Sequence, residues 1–415
     1  MDSADYLIVG GGIAGTTAAE TIREADAHAT IAILEDEPHV LYSRVAIPRY
    51  LKNRAQRESL FLRKIDDYKK RGISFYPSTR VLKIDTERRE VVIESKAKAG
   101  LPDGRAGQNF YYKKLLVSSG GRPRPLPEVF RYTGGVKVLR MQTLEDADLI
   151  KEAIAGAAEK TARLDSAMQA LVIGEGFIAL EFIAVFAEHG FKIHAVAKGD
   201  VWGESRIGRA GGEIFEENFK KHGIMVHRKT EPSFFKDGEF FLKNGNKIKA
   251  SVVGAGVGLS RNMDFLSGLE VAPPAGGGIF TDEFLETSRA GIFAAGDVAD
   301  FFDVVSGRRR TVGNWTNSFL QGRTAALNML GGRNVFKNVS AYNITNLDLK
   351  LTFVGDTDDY DSVLEKAGQN TLLRALFKEN KLKGAVLINR FDDKILLSQL
   401  IERGADKDEL EKTFL

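Results

Sequence analysis

Short apolar runs, each followed by a glycine turn and then a helical stretch, recur along much of the chain. Residues 6–9 are predicted to form an apolar strand, and an Ala-rich helix is expected from 16 to about 23. A second strand, 31–34, ends in the acids Glu35, Asp36 and Glu37. Residues 81–94 mix short apolar runs with charges (VLKIDTERREVVIE), the pattern of a hairpin or meander. Residues 100–107 are rich in turn formers and are expected to be a loop between strands. A strand at 115–117 runs into Ser118-Ser119-Gly120-Gly121. The proline-rich stretch 122–127 suits a crossover, because proline continues neither a helix nor a central strand.

The same unit begins again at residue 170. Strand 170–173, turn 174–176, helix 177–188 and strand 193–196 repeat the first pattern, an internal duplication rather than a solenoid. Later, IFAAGDVAD (292–300) is an apolar strand ending in a glycine and an acid, and 310–329 reads largely as a helix. From about 338 to 415 apolar and polar residues alternate, for example at 347–354 and 382–387, before a charged amphipathic helix. That segment is expected to be a separate α+β domain.

Composition narrows the chemistry. The 415 residues, 43% hydrophobic and 28% charged, suit a soluble globular chain of two or three domains. A net charge of +3 makes no case for nucleic acid or a membrane surface as the main partner. There is no cysteine, which removes disulfides, thiolate nucleophiles, iron–sulfur clusters and Cys-ligated zinc. Redox chemistry in such a chain needs a bound cofactor. The start, MDSADYLIVGGG, lacks the regions of a signal peptide, and no run of roughly 18 uncharged apolar residues appears, so a cytoplasmic protein without a membrane span is expected. The six histidines are scattered; His189 with His194 and His222 with His227 miss the i, i+4 spacing of a helical metal site and are expected to be structural or on the surface. Arg308-Arg309-Arg310 is read as a solvated loop, with a docking patch for an acidic electron carrier as the sharper alternative.

The first chemical motif is Gly10-Gly11-Gly12-Ile13-Ala14-Gly15, a G-x-G-x-x-G. The first glycine allows the tight turn, the second lets the backbone approach a pyrophosphate, and the third lets helix and strand pack closely. The helix N-terminus then offers N–H groups and a partial positive charge to the pyrophosphate. Acids about twenty residues further on suit the ribose hydroxyls. The second motif is Gly174-Glu175-Gly176-Phe177-Ile178-Ala179, with Ala as an allowed third residue. Laying Ile193 on Ile31 puts Ala197 and Lys198 where Glu35 and Asp36 stand. A lysine with no carboxylate there leans the site toward NADPH; the alternative is a solvated lysine, with Asp200 reaching back to a ribose. At Ala294-Ala295-Gly296-Asp297 the acid is read either as reaching a ribityl hydroxyl or the pyrophosphate, or as a helix N-cap.

In this order the motifs resemble the two-dinucleotide flavoprotein family of NAD(P)H:ferredoxin and rubredoxin reductases and apoptosis-inducing factor. LIVGGGIAG resembles its FAD fingerprint, and EDEPHVLYSRVAIPRYL its FAD-contacting stretch. LLVSSGGRPRPLP, LVIGEGFIALE, TSRAGIFAAGDVAD and GNWTNSFLQGRTAALNMLG resemble later motifs of the family. The resemblance implies an α/β fold with two Rossmann-like domains and a C-terminal α+β domain. Residues 1–125 and 257–335 would bind FAD, 126–256 would bind NAD(P), and 336–415 would form a dimerisation or interface domain.

It further implies that Asp36, or its neighbour Glu35, binds the adenosine ribose. Arg44, Arg49, Val81 and Arg124 would contact FAD, with Ser119, Gly120 and Gly296 beside them. Asp297 would hold the ribityl chain, and Asn314 and Trp315 would meet the flavin pyrimidine edge. Gly174, Gly176, Phe177, Ile178, Ala197, Lys198 and Gly256 would line the nicotinamide dinucleotide site. Arg49 stands where the family usually has lysine, and an Arg49–Glu181 ion pair near flavin N5 is expected to orient the nicotinamide as the catalytic pair. Asn314 in place of a common glutamate, and Asn343 near a common tryptophan, depart from the pattern. The redox cysteine of one branch of the family would fall near Val45 or Ala46 and is absent. The implied activity is hydride transfer from NADH or NADPH to FAD, then electrons to a small carrier such as ferredoxin or rubredoxin. Oxygen or a quinone as acceptor, or a redox-sensing interaction protein, monomeric or homodimeric, are the alternatives.

Overall fold

The computed structural model describes residues 2–95, 106–130, 133–164, 167–266 and 277–414; residues 100–105 of the expected loop lie outside that set. The chain divides into two compact units. The first comprises Met1–Ser43, Arg57–Arg122 and Ser260–Ser340, and the second Arg44–Gln56, Pro123–Leu259 and Ala341–Leu415.

The first unit is organised by a sheet in the order Ile73–Tyr76, Ile31–Leu34, Asp2–Val9, Ala106–Val117, Glu90–Ser95 and Thr79–Asp85, with Ile292–Ala294 also on Ala106–Val117. Its four first-named strands and Ile292–Ala294 run parallel, and the hairpin expected at 81–94 forms its antiparallel edge. Parallel strands need cover on both faces, which their unbroken apolar runs reflect. Leu7, Val9, Leu34, Leu115 and Val117 pack into one core. Their neighbours Ile8, Ile33 and Leu116 pack into the other, against the helix Ile13–Ala25. The helix Trp315–Met329 lies on that helix so closely that a Cβ at Gly322 would stand 2.2 Å from the Ala14 carbonyl oxygen.

The second unit repeats the plan. Its parallel sheet runs Met225–His227, Lys192–Val196, Gln169–Ile173, Val252–Ala255 and Lys137–Leu139. A small antiparallel sheet of Pro232–Lys236, Glu239–Leu242 and Lys247–Lys249 shares its core through Phe240, Leu242 and Ile248. The C-terminal segment forms a five-stranded antiparallel sheet, Ala341–Asn346, Leu349–Gly355, Lys381–Ile388, Leu372–Lys378 and Ser362–Ala367, followed by the helices Lys394–Arg403 and Lys407–Phe414. This is the expected α/β plus α+β architecture. It differs from the three expected bodies in grouping: the C-terminal sheet belongs with the second unit, where Leu372 and Arg374 pack against Gly211 and Gly208 of the helix Glu204–Lys221. Residues 44–56 join that unit too. Among the described residues no helix is long and apolar enough to cross a membrane.

Candidate cofactor sites

Both glycine turns end a buried central strand and open a helix. Gly10 has φ +103° and Gly174 φ +102°, in the region that side chains rarely adopt. A Cβ at Gly10 would stand 2.4 Å from the Ser118 carbonyl oxygen, and one at Gly174 would stand 2.1 Å from that of Gly256. The second glycines behave oppositely: a Cβ at Gly12 or Gly176 would meet nothing within 4 Å. The turns are therefore crowded toward the neighbouring strand and open on the outer side, the shape that admits a pyrophosphate at a helix N-terminus. Neither Gly12 nor Gly176 receives a side-chain cap, and neither helix has an acid in its first turn to compete with an anion.

The third positions differ. A Cβ on Gly15 would reach 2.0 Å from the Gly10 carbonyl oxygen, so only glycine fits. Ala179 is accepted because its neighbour gives way: Gly256 faces it, where a Cβ would lie 2.6 Å from the Ala179 nitrogen.

At the first turn the structure separates the two acids left open for the ribose. Glu35 Oε2 accepts a hydrogen bond from the Gly11 N–H at 2.5 Å, and Oε1 accepts one from Glu37 N–H at 3.0 Å. Asp36, the preferred choice in the sequence, is instead exposed and paired with Arg80 at 2.8 Å. The carboxylate at the turn is that of Glu35.

The remaining positions of the first unit take defined places. Val81 is buried in the sheet core, and the pairing shifts between Val81 and Lys83, which frees backbone groups there. Ser119 donates from Oγ to the Asn262 carbonyl at 2.7 Å, and Gly120, at φ +64°, accepts from Asn262 N–H at 3.0 Å. Gly296, at φ +81°, donates to Gln321 Oε1 at 2.7 Å, while Gln321 Nε2 is buried with no hydrogen-bond partner among the described residues. Asp297 lies inside the 3-10 turn Gly296–Val298 rather than at its N-cap, which is Ala295, so the capping alternative fails. Ser318 Oγ lies 3.3 Å from its carboxylate. Asn314 itself is a cap: its Oδ1 accepts from Asn317 N–H at 2.9 Å, and its Nδ2 donates to Ser340 at 2.7 Å. That dual role is a physical reason for an amide at this position. Trp315 follows, half-buried, as the first helical residue.

In the second unit Phe177 opens its helix against the rings of Tyr342 and Phe353, at centroid distances of 4.9 and 5.2 Å. Ile178 beside it is exposed. Ala197 is fully buried, and the Lys198 ammonium is engaged by Glu231 at 2.8 Å. Asp200, offered as a ribose ligand, is paired with Lys229 at 2.6 Å. The second turn does have a carboxylate, from its own middle residue. Glu175 Oε2 accepts from Lys198 N–H at 3.4 Å, and Oε1 from Gly203 N–H at 3.0 Å.

One turn along the same helix, Glu181 is nearly buried. Its partner is Lys52 at 3.2 Å and not Arg49, which is exposed. Lys52 also donates to Asn346 Oδ1 at 2.6 Å. Arg49 and Lys52 are three residues apart at the end of the helix Ile47–Leu51; Lys52, at its C-cap, turns its side chain to the buried Glu181 carboxylate while Arg49 stays exposed. Burial pushes the Glu181 carboxyl up, and the Lys52 charge opposes the rise. Of the other arginines, Arg44 donates to the Gln142 carbonyl at 2.7 Å and Arg124 to that of Leu259 at 3.1 Å.

Two expectations outside the turns also shift. His194 and His227, on adjacent strands, form the close pair, 3.0 Å between ring nitrogens, rather than the sequence neighbours considered. In the arginine triplet, Arg310 pairs with Asp303 at 3.0 Å and Arg309 donates to the Asp300 carbonyl at 3.0 Å, which gives both structural work. Lys52, Asn346, Gln321 and Glu175 were missed by sequence reasoning. Only Glu175 had a local signal, an acid inside the G-x-G itself.

Comparison with known proteins places this geometry in context. The family model described as "Pyridine nucleotide-disulphide oxidoreductase" matches residues 4–322. Apoptosis-inducing factor 3 of Mus musculus is 26% identical over 368 residues, 87% of this chain but 56% of that protein, so the chain spans little more than half the length of this relative. Putidaredoxin reductase of Pseudomonas putida is 27% identical over 371 residues, 87% of this chain and 82% of that one. A solved ferredoxin reductase from Rhodopseudomonas palustris superposes with a TM-score of 0.83 at 25% identity, covering 100% of both chains.

Proposed function

Because the chain belongs to the pyridine nucleotide-disulphide oxidoreductase family, we propose that it is an FAD-dependent NAD(P)H oxidoreductase that passes electrons to a small carrier such as a ferredoxin or rubredoxin. The observation that carries this reading is the duplicated turn. Two units each hold a glycine at φ near +100° against a neighbouring carbonyl, with the next-but-one glycine facing open space. One such turn suits one dinucleotide, and two in one chain suit a flavin and a nicotinamide. The relatives named as putidaredoxin reductase and as NADH-rubredoxin oxidoreductase of Clostridium acetobutylicum support a protein carrier as acceptor.

Bound FAD supplies the chemistry that the side chains lack, accepting a hydride and releasing electrons singly. The chain's own residues bind and orient. The N–H groups that open the helix Ile13–Ala25 take the FAD pyrophosphate, and Glu35 takes the adenosine ribose. Asp297 and the free Nε2 of Gln321 serve the far end of the same ligand. In the second unit the N–H groups opening the helix Phe177–Glu188 take the nicotinamide dinucleotide. Lys52 holds Glu181 in one rotamer and keeps its charge balanced in a buried setting, which fixes the polar wall of that site. With no cysteine, the chain has no dithiol to relay electrons.

The test is spectroscopic. The purified protein should show flavin absorbance, and anaerobic stopped-flow mixing with NADH or NADPH should bleach it. A second mix with oxidised ferredoxin or rubredoxin should restore the colour. Failure of both nucleotides to bleach the flavin overturns the reading.

A further inference from the structure

The second turn lacks an acid at the end of its second strand, where dinucleotide sites that prefer NADH usually carry one. Ala197 occupies that position and is fully buried. The carboxylate is nonetheless present, because it comes from the other side of the same contact. At the first turn Glu35, from the strand end, bonds to the N–H of Gly11 in the loop, at 2.5 Å. At the second turn Glu175, the residue equivalent to Gly11, bonds back to the N–H of Lys198 at the strand end, at 3.4 Å, and to Gly203 N–H at 3.0 Å. The two sites thus close the same gap with the donor and acceptor exchanged.

The geometry points to Glu175 as the residue that selects NADH over NADPH, taking the ribose hydroxyls and repelling a 2′-phosphate; this rests on the proposed oxidoreductase reading. The surrounding charges agree. Lys198 is held by Glu231 at 2.8 Å, and Glu231 is also bound by Lys243 at 2.6 Å. Lys229 is held by Asp200 at 2.6 Å. Glu204 accepts from Asp200 N–H at 3.1 Å, adding a fourth carboxylate to the loop with Glu175, Asp200 and Glu231. Against these stand the ammonium groups of Lys198, Lys229 and Lys243 and the guanidinium groups of Arg209 and Arg228, whose charges also act on Asp200; each is already paired, the arginines with Glu213 and Glu216. A 2′-phosphate adds nearly two negative charges to this loop, with no unpaired cation among these residues to receive them. Ribose hydroxyls, by contrast, donate to a carboxylate already fixed by two backbone N–H groups.

The experiment is calorimetric titration of the FAD-loaded protein with NAD⁺ and with NADP⁺, which bind without reducing the flavin. Wild type should bind NAD⁺ about tenfold or more tighter than NADP⁺, the effect of one nearby like charge. Glu175→Gln, which keeps the side chain's shape, should bring the two within about threefold, while Lys198→Ala, which removes a cation, should leave NAD⁺ the tighter ligand. Equal binding of both nucleotides by wild type, or a ratio unchanged in Glu175→Gln, overturns the inference and leaves the oxidoreductase reading standing. A preference for NADP⁺ that Lys198→Ala removes also overturns it. Binding of neither nucleotide overturns both.

Discussion

The two glycine turns are built alike at the helix N-terminus, where the proposed pyrophosphate would sit, and differently at the strand end, where the proposed ribose would. Gly10 and Gly174 share φ to within a degree and clash with a neighbouring carbonyl in the same way. Beyond them the first turn borrows its carboxylate from the strand, through Glu35, and the second supplies its own, through Glu175. Phosphate binding by backbone N–H groups permits almost one solution, because only a particular dihedral places several of them together. A carboxylate on a flexible side chain reaches one point from several backbone positions. Duplicated units therefore keep the turn and vary the acid.

The largest expected effect tests the shared part. Gly10→Ala forces a side chain into φ +103° and toward a carbonyl oxygen 2.4 Å away. The purified variant should lose its flavin colour. Gly174→Ala, with its clash at 2.1 Å, should keep the flavin but lose measurable NAD⁺ binding by calorimetry. If either variant loses both ligands, the turns do not act independently and the comparison fails.

Next in size is the Lys52–Glu181 ion pair of the second unit. Lys52 and Glu181 have side chains 9% and 17% exposed, so removing the lysine leaves a desolvated carboxylate. Lys52→Met should cost about 3 kcal/mol, read as a lowered denaturation midpoint, whereas Lys52→Met combined with Glu181→Gln should recover most of the loss. Lys52→Met should also raise the Glu181 carboxyl further, since the cation is what opposes the effect of burial. A double variant no more stable than the single one would show that the lysine acts through packing alone.

Much of this was legible in the sequence. Residues 31–34 and 177–188 match the strand and helix found there, because unbroken apolar runs and glycine stops mark buried strands and the helices after them. The glycine roles were legible for the same reason: spacing encodes the dihedral. What escaped notice depends on tertiary reach. Arg49 and Lys52 stand three residues apart at the end of a short helix, and nothing local decides which finds Glu181. Glu175 lies in the glycine turn and not at the strand end where a ribose acid ordinarily stands, and only the folded loop brings its carboxylate to that end. His194 and His227 lie thirty-three residues apart and meet only through strand pairing.

A smaller effect tests the ribose side. Glu35→Gln keeps an acceptor for Gly11 N–H but removes the charge proposed to receive ribose hydroxyls, so FAD should bind about tenfold more weakly, measured by flavin release on dilution. Asp36→Asn should leave FAD affinity within about twofold, since that acid is tied to Arg80. The reverse ranking would return the ribose role to Asp36.

The smallest contrast lies in the sheets themselves. His194 stands in the second sheet where the equivalent strand position of the first sheet is the buried Ala32. Burial, with the neighbouring His227 charge, holds the His194 imidazole down at about 4 from its ordinary 6.5. The unfolded chain takes a proton at the ordinary value and the folded chain does not, so the unfolded state binds more protons between those limits. Stability of the second unit is then full above pH 6.5, falls as the pH drops from 6.5 toward about 4, and levels off below. Ala32 gives the first unit no such dependence. Hydrogen exchange followed from pH 7 to pH 4.5, corrected for intrinsic rates, should show protection lost first in the strands Lys192–Val196 and Met225–His227. In His194→Ala the two sheets should instead lose protection together, and if they already do so in the wild type, the imidazole pair has no part in the difference between the units.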